Sequence, residues 1–149
     1  MNAEVKPTVV LIYGDPGQGK SHLAGKLREE FGYRRITVDD VYVRFIRDRY
    51  PDLYFPRLRQ FISNHWHAIT IDGRLDDLGT AWRNHLYDVI ENELRSFPRI
   101  VVEGYLVGFA LNELKAKLEK RVAVRIIKAE NQKYPMDDKE VTVAEIADN

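Results

Sequence analysis

The sequence predicts an α/β fold, a parallel sheet of four or five strands with helices on both faces. Three observations predict it. Short runs rich in β-branched and apolar residues recur at Thr8–Tyr13, Arg35–Val38, Ile100–Val102 and Val122–Ile127. Such runs suit strands that are buried on both faces. Segments with helical spacing separate them, and strands alternating with helices build a parallel sheet. Finally, 149 residues suffice for one core, so residues 1–149 read as a single domain.

Taken in order, Thr8–Tyr13 is the first strand and a Gly/Pro-rich loop, Gly14 to Gly19, follows it. Leu23 and Leu27 stand at i,i+4 in a helix that Gly32 stops. Arg35–Val38 closes a βαβ unit and ends at Asp39-Asp40. From about residue 41 to 97 the pattern is mostly helical. Val41, Phe45 and Ile46 share a face, Tyr50-Pro51-Asp52 interrupts, and Leu58, Phe61 and Ile62 suggest a further helix. Ala68–Ile71 is ambiguous between strand and helix, and Asp72-Gly73 is a turn signal. The clearest helix is Thr80–Phe97, striped by Trp82, Leu86, Val89, Ile90 and Leu94 and stopped by Pro98. Trp82 therefore reads as core. After the third strand, a helix over residues 109–120 carries Leu111, Leu114 and Leu118 on one face. Beyond the fourth strand the chain turns polar around Pro135, and Val141-Thr142-Val143 is the candidate fifth strand.

Composition removes several function classes. Lys plus Arg equals Asp plus Glu, 23 each, so no net field draws the chain to nucleic acid or to an anionic membrane. The absence of cysteine removes disulfides, thiolate metal sites and cysteine nucleophiles. The apolar runs fall far short of the ~20 residues of a membrane span, and Met1–Pro7 lacks the apolar stretch of a signal peptide. The expectation is a cytoplasmic protein with no membrane partner.

The loop carries the chemistry. Gly14-Asp15-Pro16-Gly17-Gln18-Gly19-Lys20-Ser21 matches G-x-x-x-x-G-K-[ST] in full. Glycines let the backbone curl until successive N–H groups point inward at phosphate oxygens. The helix that opens near Lys20 adds its positive end. Lys20 suits the β- and γ-phosphates, and the Ser21 hydroxyl suits Mg²⁺. His22 borders the loop. The expected ligand is a nucleoside triphosphate, ATP, with Mg²⁺.

Two acidic strand ends accompany the loop. Open parallel sheets bind ligands beyond the carboxyl ends of their strands. Asp39 and Asp40 follow the second strand. A carboxylate there can take a proton from an attacking hydroxyl or hold a metal's water shell, and it can equally cap the next helix. Asp39 is the choice for the base and Asp40 for the cap or metal shell. Glu103, between the third strand and Gly104, is the second metal candidate.

With these residues in place, the chain resembles the P-loop kinases. "TVDDVYVR" (Thr37–Arg44) and "IVVEGYLV" (Ile100–Val107) follow the loop in order and are similar to the uridine kinase and nicotinamide riboside kinase group. "GDPGQGKS" with "DDVYVR" is also similar to polynucleotide kinases. The resemblance implies a P-loop NTPase-type sheet in the order 2-3-1-4, with a fifth strand in doubt. It implies Asp39 as catalytic base beside Lys20, Glu103 near the metal and Arg44 as a substrate contact. The insert over residues 41–97 becomes the acceptor side. The chain departs from these kinases after the fourth strand, where they carry an arginine-rich lid. Here Ala129–Pro135 contains no arginine. Lys128 or Lys133, Arg57 and Arg59 of the insert, or a partner chain in a homo-oligomer are the candidate replacements.

The implied activity is transfer of the γ-phosphate of ATP to a hydroxyl, on a nucleoside-like small molecule in preference to a polynucleotide end. The alternative is a nucleotide-binding module that works through a partner. A GTPase is disfavoured because no N/T-K-x-D sequence appears. His65 and His67 stand at i,i+2 and share no helix face, so they read as surface residues.

Overall fold

A computed structural model of the chain describes residues 7–15, 17–58, 76–136 and 139–147. Four parallel strands form its centre: β1 (Thr8–Tyr13), β2 (Arg34–Thr37), β3 (Arg99–Glu103) and β4 (Ala123–Lys128). They lie in the order β2-β3-β1-β4. β1 and β3 sit inside, and their apolar runs Val9–Ile12 and Ile100–Val102 are completely buried. That is what continuous apolar, β-branched strands require when both faces are covered.

Side chains alternate across the sheet and divide the core in two. Val9, Leu11, Ile100 and Val102 face α2 (Val38–Arg49), α3 (Asp76–Leu94) and α4 (Leu111–Leu118). Val10, Ile12, Val101 and Ile127 face α1 (Lys20–Phe31) and the short α5 (Val143–Ala147). The stripe of α3 buries Trp82, Leu86 and Ile90, and Trp82 meets Tyr42 edge to face at 5.0 Å. Gly32 ends α1 in the left-handed region at φ 73°, donating its N–H to Arg28.

Among the differences from the sequence reading, three have a clear local reason. β2 lies one residue earlier, because Val38 starts a helix although its β-branch suits a strand. α3 stops at Leu94, and turns at Arg95–Phe97 fill the distance to Pro98. The candidate fifth strand is a helix instead. Thr142 Oγ1 accepts from the Glu145 N–H at 3.1 Å, and Glu145 accepts from the Thr142 N–H at 3.1 Å. That reciprocal pair is a capping box, which begins α5 at Val143. A separate two-stranded ribbon pairs β5 (Pro135–Met136) with β6 (Lys139–Glu140), antiparallel. The ambiguous stretch Ala68–Ile71, the Asp72-Gly73 turn and the histidines His65 and His67 lie outside the described residues. Among the described residues no helix is long and apolar enough to cross a membrane.

Candidate active site

The sheet register brings the three sequence motifs together. Glu103 on β3 pairs with Ile12 on β1 and with Thr37 on β2. Two residues beyond Ile12 the phosphate loop begins at Gly14, and two residues beyond Thr37 stands Asp39. The loop, Asp39 and Glu103 therefore leave one row of the sheet, at the carboxyl ends of adjacent strands. This is the place where open α/β sheets bind ligands.

The loop is folded for an anion. Gly14, Gly17 and Gly19 have φ values of 139°, 82° and 107°, a region that disfavours side chains. Gly14 has a second reason to be glycine: a β-carbon there would lie 2.5 Å from the Ala129 carbonyl oxygen. Gly19 caps α1 without a side-chain bond, and the first turn of α1 carries no acidic residue. That end of the helix suits an anion. Lys20 is 8% exposed, and its ammonium donates to the Asp15 carbonyl at 2.7 Å. Ser21 and His22 are exposed on the first turn, and Pro16 lies outside the described residues.

Asp39 is buried at the second position of α2, past the strand rather than on it. Its Oδ1 accepts from the Leu106 N–H at 3.3 Å. Gly104, at φ 152°, makes room for it: a β-carbon there would come within 2.9 Å of the same oxygen. Gly104 thus serves Asp39 rather than its own neighbour Glu103. Asp40 is the third helical residue and exposed, and the N-cap position is Thr37, which makes no side-chain cap bond.

Glu103 is 3% exposed and accepts from Arg35 Nη2 at 2.9 Å. Arg35 escaped the sequence reading because one strand residue among several arginines carries no signal. Only the register reveals that Arg35 and Glu103 share a sheet face. Among the described residues no cluster of three or more His, Asp or Glu could hold a metal alone. A Mg²⁺ ion would therefore depend on Ser21, a carboxylate acting through water and the phosphates themselves, a donor set that fits this hard cation.

The segment after β4 meets the outside of the loop. Glu130 and Lys133 exchange N–H and carbonyl bonds across a tight turn whose central residues, Asn131 and Gln132, have φ 52° and 62°. The Asn131 N–H donates to Gln18 Oε1 at 2.7 Å and the Gln132 N–H to the Gln18 carbonyl at 3.0 Å. Gln132 Nε2 donates to the Gly17 carbonyl at 3.2 Å, and the Tyr134 hydroxyl to the Gly19 carbonyl at 3.4 Å. Burial raises the pKa of Tyr134, so the hydroxyl keeps its proton for this bond. Three of these bonds satisfy loop carbonyls and the fourth holds the Gln18 side chain, so the loop is braced from behind. No arginine takes part.

No bond joins the remaining described candidates, Arg44 and Arg57, to this brace. Arg44 is exposed on α2, and Arg57 is exposed in the turn before Leu58. Arg59 lies outside the described residues.

No protein-family model matches the chain, and neither does any curated protein. Among solved structures it is similar to a gluconokinase from Sinorhizobium meliloti 1021, at 18% identity and a TM-score of 0.46, over 84% of this chain and 58% of that one. It is similar also to a chain of the Pnkp1/Rnl/Hen1 complex, at 14% identity and a TM-score of 0.47, over 87% of this chain and 37% of that one. The chain thus spans little more than half of the first and just over a third of the second. Likeness at this level concerns the path of the backbone. The finer resemblance, to the uridine kinase and nicotinamide riboside kinase group, stays with the sequence motifs.

Proposed function

We propose that this chain is a P-loop phosphotransferase that moves the γ-phosphoryl group of ATP to a hydroxyl. The acceptor class we favour is a small nucleoside-like molecule, ahead of a polynucleotide end. One observation carries the reading: a complete phosphate loop, buried Asp39 and buried Glu103 leave the same row of the sheet.

Phosphoryl transfer asks a protein mainly for positioning and charge. The loop N–H groups and Lys20 hold the triphosphate, with the Lys20 ammonium exchanging the Asp15 carbonyl for a phosphate oxygen. Asp39 takes the proton of the acceptor hydroxyl as the new oxygen–phosphorus bond forms. The bond to the β-phosphate oxygen breaks, and the leaving ADP keeps the electron pair. Bound Mg²⁺, held by Ser21 and through water by Glu103, would offset the charge on the β- and γ-phosphates. The insert over residues 41–97, with Arg44, Arg57 and Arg59, is the proposed acceptor side.

A second reading has its own support. The segment after β4 contains no arginine and is bonded to the loop's carbonyls, which suits a nucleotide-binding module that works through a partner. Labelled ATP with Mg²⁺ and a panel of alcohol acceptors separates the two. The wild type should label an acceptor. In Asp39→Asn the amide oxygen can still accept from Leu106, so ATP affinity should stay within a few-fold while transfer falls by about 10²–10⁴. A wild type that binds ATP and labels nothing favours the module. One that does not bind ATP in calorimetry sinks both readings.

A further inference from the structure

We propose that a cavity along the open edge of the sheet is a second phosphate site, one that takes a nucleotide. The proposal does not depend on phosphoryl transfer. The cavity has a volume of about 400 Å³ and is lined by Arg28, Arg34 and Arg35 with Tyr33, Thr37 and Phe97. It runs beside β2, the edge strand, from the carboxyl end of α1 to the turn before β3.

Its charge is one-sided. Among the described residues three guanidinium groups line it and no lining residue is acidic, in a chain whose formal net charge is zero. Such a concave concentration of one sign focuses the field on an anion. The neighbouring carboxylates neutralise Arg28 and Arg34 only loosely, while Glu103 pairs closely with Arg35. Arg34 meets Glu93 at 3.4 Å and Arg28 meets Glu29 at 3.8 Å, against the ~2.7–2.9 Å of a good charge-assisted bond. Arg35 gives Nη2 to Glu103, but its Nε is buried with no hydrogen-bond partner. A buried donor left unmade is costly, and the Arg35 guanidinium adds its positive charge to the wall of the cavity.

Geometry argues for phosphate, and for phosphate on an organic body. Guanidinium forks match phosphate oxygens two at a time. Arg34 is already oriented, its guanidinium 5.1 Å from the centre of the Phe97 ring. Phe97 is 38% exposed, an apolar surface suited to a base. The volume falls in the ~300–1,000 Å³ range of small-ligand sites and exceeds what a bare phosphate fills.

The test uses the full chain carrying Lys20→Ala, which disables the loop, so failure of the loop reading leaves this one standing. AMP and a 5′-phosphorylated oligothymidylate are titrated by calorimetry into Lys20→Ala and into Lys20→Ala with Arg28→Gln and Arg34→Gln. Both arginines are exposed, so melting curves should coincide and rule out unfolding. The expected result is saturable binding to Lys20→Ala that weakens by about tenfold or more in the triple variant. Tighter binding of the oligonucleotide, with a salt dependence that the arginine changes flatten, assigns the site to a strand. Equal or tighter binding of AMP assigns it to a free nucleotide. No binding to Lys20→Ala, or equal binding to both proteins, overturns the proposal.

Discussion

Two segments leave neighbouring strands at the same edge of the sheet, and both bend into the left-handed region. Residues 14–19 follow β1 and residues 129–134 follow β4. The first makes the bend with glycines. The second makes it with Asn131 and Gln132, which are not glycine. Their hydrogen bonding differs in the same way. The loop's carbonyls at Gly17, Gln18 and Gly19 take donors from outside the loop. The segment after β4 supplies them through its own N–H groups, the Gln132 amide and the Tyr134 hydroxyl. One segment forms the site, and the other fixes the shape of the first. The segment after β4 therefore lies against the loop in a supporting role.

The two segments leave no room for a side chain at Gly14, so Gly14→Ala is the change that should break the arrangement most. The new β-carbon would face the Ala129 carbonyl oxygen at 2.5 Å, and φ 139° resists any side chain. Backbone strain and overpacking act together, so stability should fall by about 2–4 kcal/mol in urea unfolding, and ATP binding should weaken with it. An unchanged midpoint would mean that the ends of β1 and β4 do not approach each other as described.

This contrast also explains what was legible in the sequence. The loop's determinants are local: glycines at fixed spacing, a lysine and a hydroxyl, between an apolar strand and an amphipathic helix. β1 and the stripe on α3 were legible for the same reason, since periodicity and burial coincide. The brace is written in pairs more than a hundred residues apart, Gln18 with Asn131 and Gln132, and Gly19 with Tyr134. No spacing rule reaches that far. Arg35 with Glu103 and Gly104 with Asp39 were hidden likewise, because each depends on strand register. α5 is a different case. Thr142-x-x-Glu145 is a local signal, but the β-branched Val141-Thr142-Val143 outweighed it.

A milder change separates the brace from the loop. Gln132→Ala removes the amide bond to the Gly17 carbonyl and keeps the backbone bond to Gln18. The lost bond is exposed, so the unfolding midpoint should hardly move. The loop's preorganisation should suffer instead, with ATP affinity falling by about threefold, or ~0.6 kcal/mol. Calorimetry with ATP–Mg²⁺ reads this directly. Equal affinity would make the segment after β4 mere packing, and the comparison would lose its functional content.

The smallest effect sharpens the contrast by reversing the Gly14 experiment. At Gly14 glycine is required both by φ and by the nearness of Ala129. At Asn131 only φ is at issue, and 52° lies in the part of the left-handed region that asparagine tolerates. The backbone N–H of residue 131 donates to Gln18 whatever the side chain. Asn131→Gly therefore relieves a small strain and adds freedom to the unfolded chain, two terms of opposite sign. Stability should stay within about 0.5 kcal/mol of wild type, and ATP affinity should not change. Asn131→Val keeps the same N–H but places a β-branched residue at positive φ, which should cost about 1–2 kcal/mol. Thermal or urea unfolding of the two variants decides the matter. If glycine destabilises as much as valine, the asparagine side chain itself holds the turn. The brace would then be specified by its side chains throughout, and the backbone of residue 131 would cease to be its anchor.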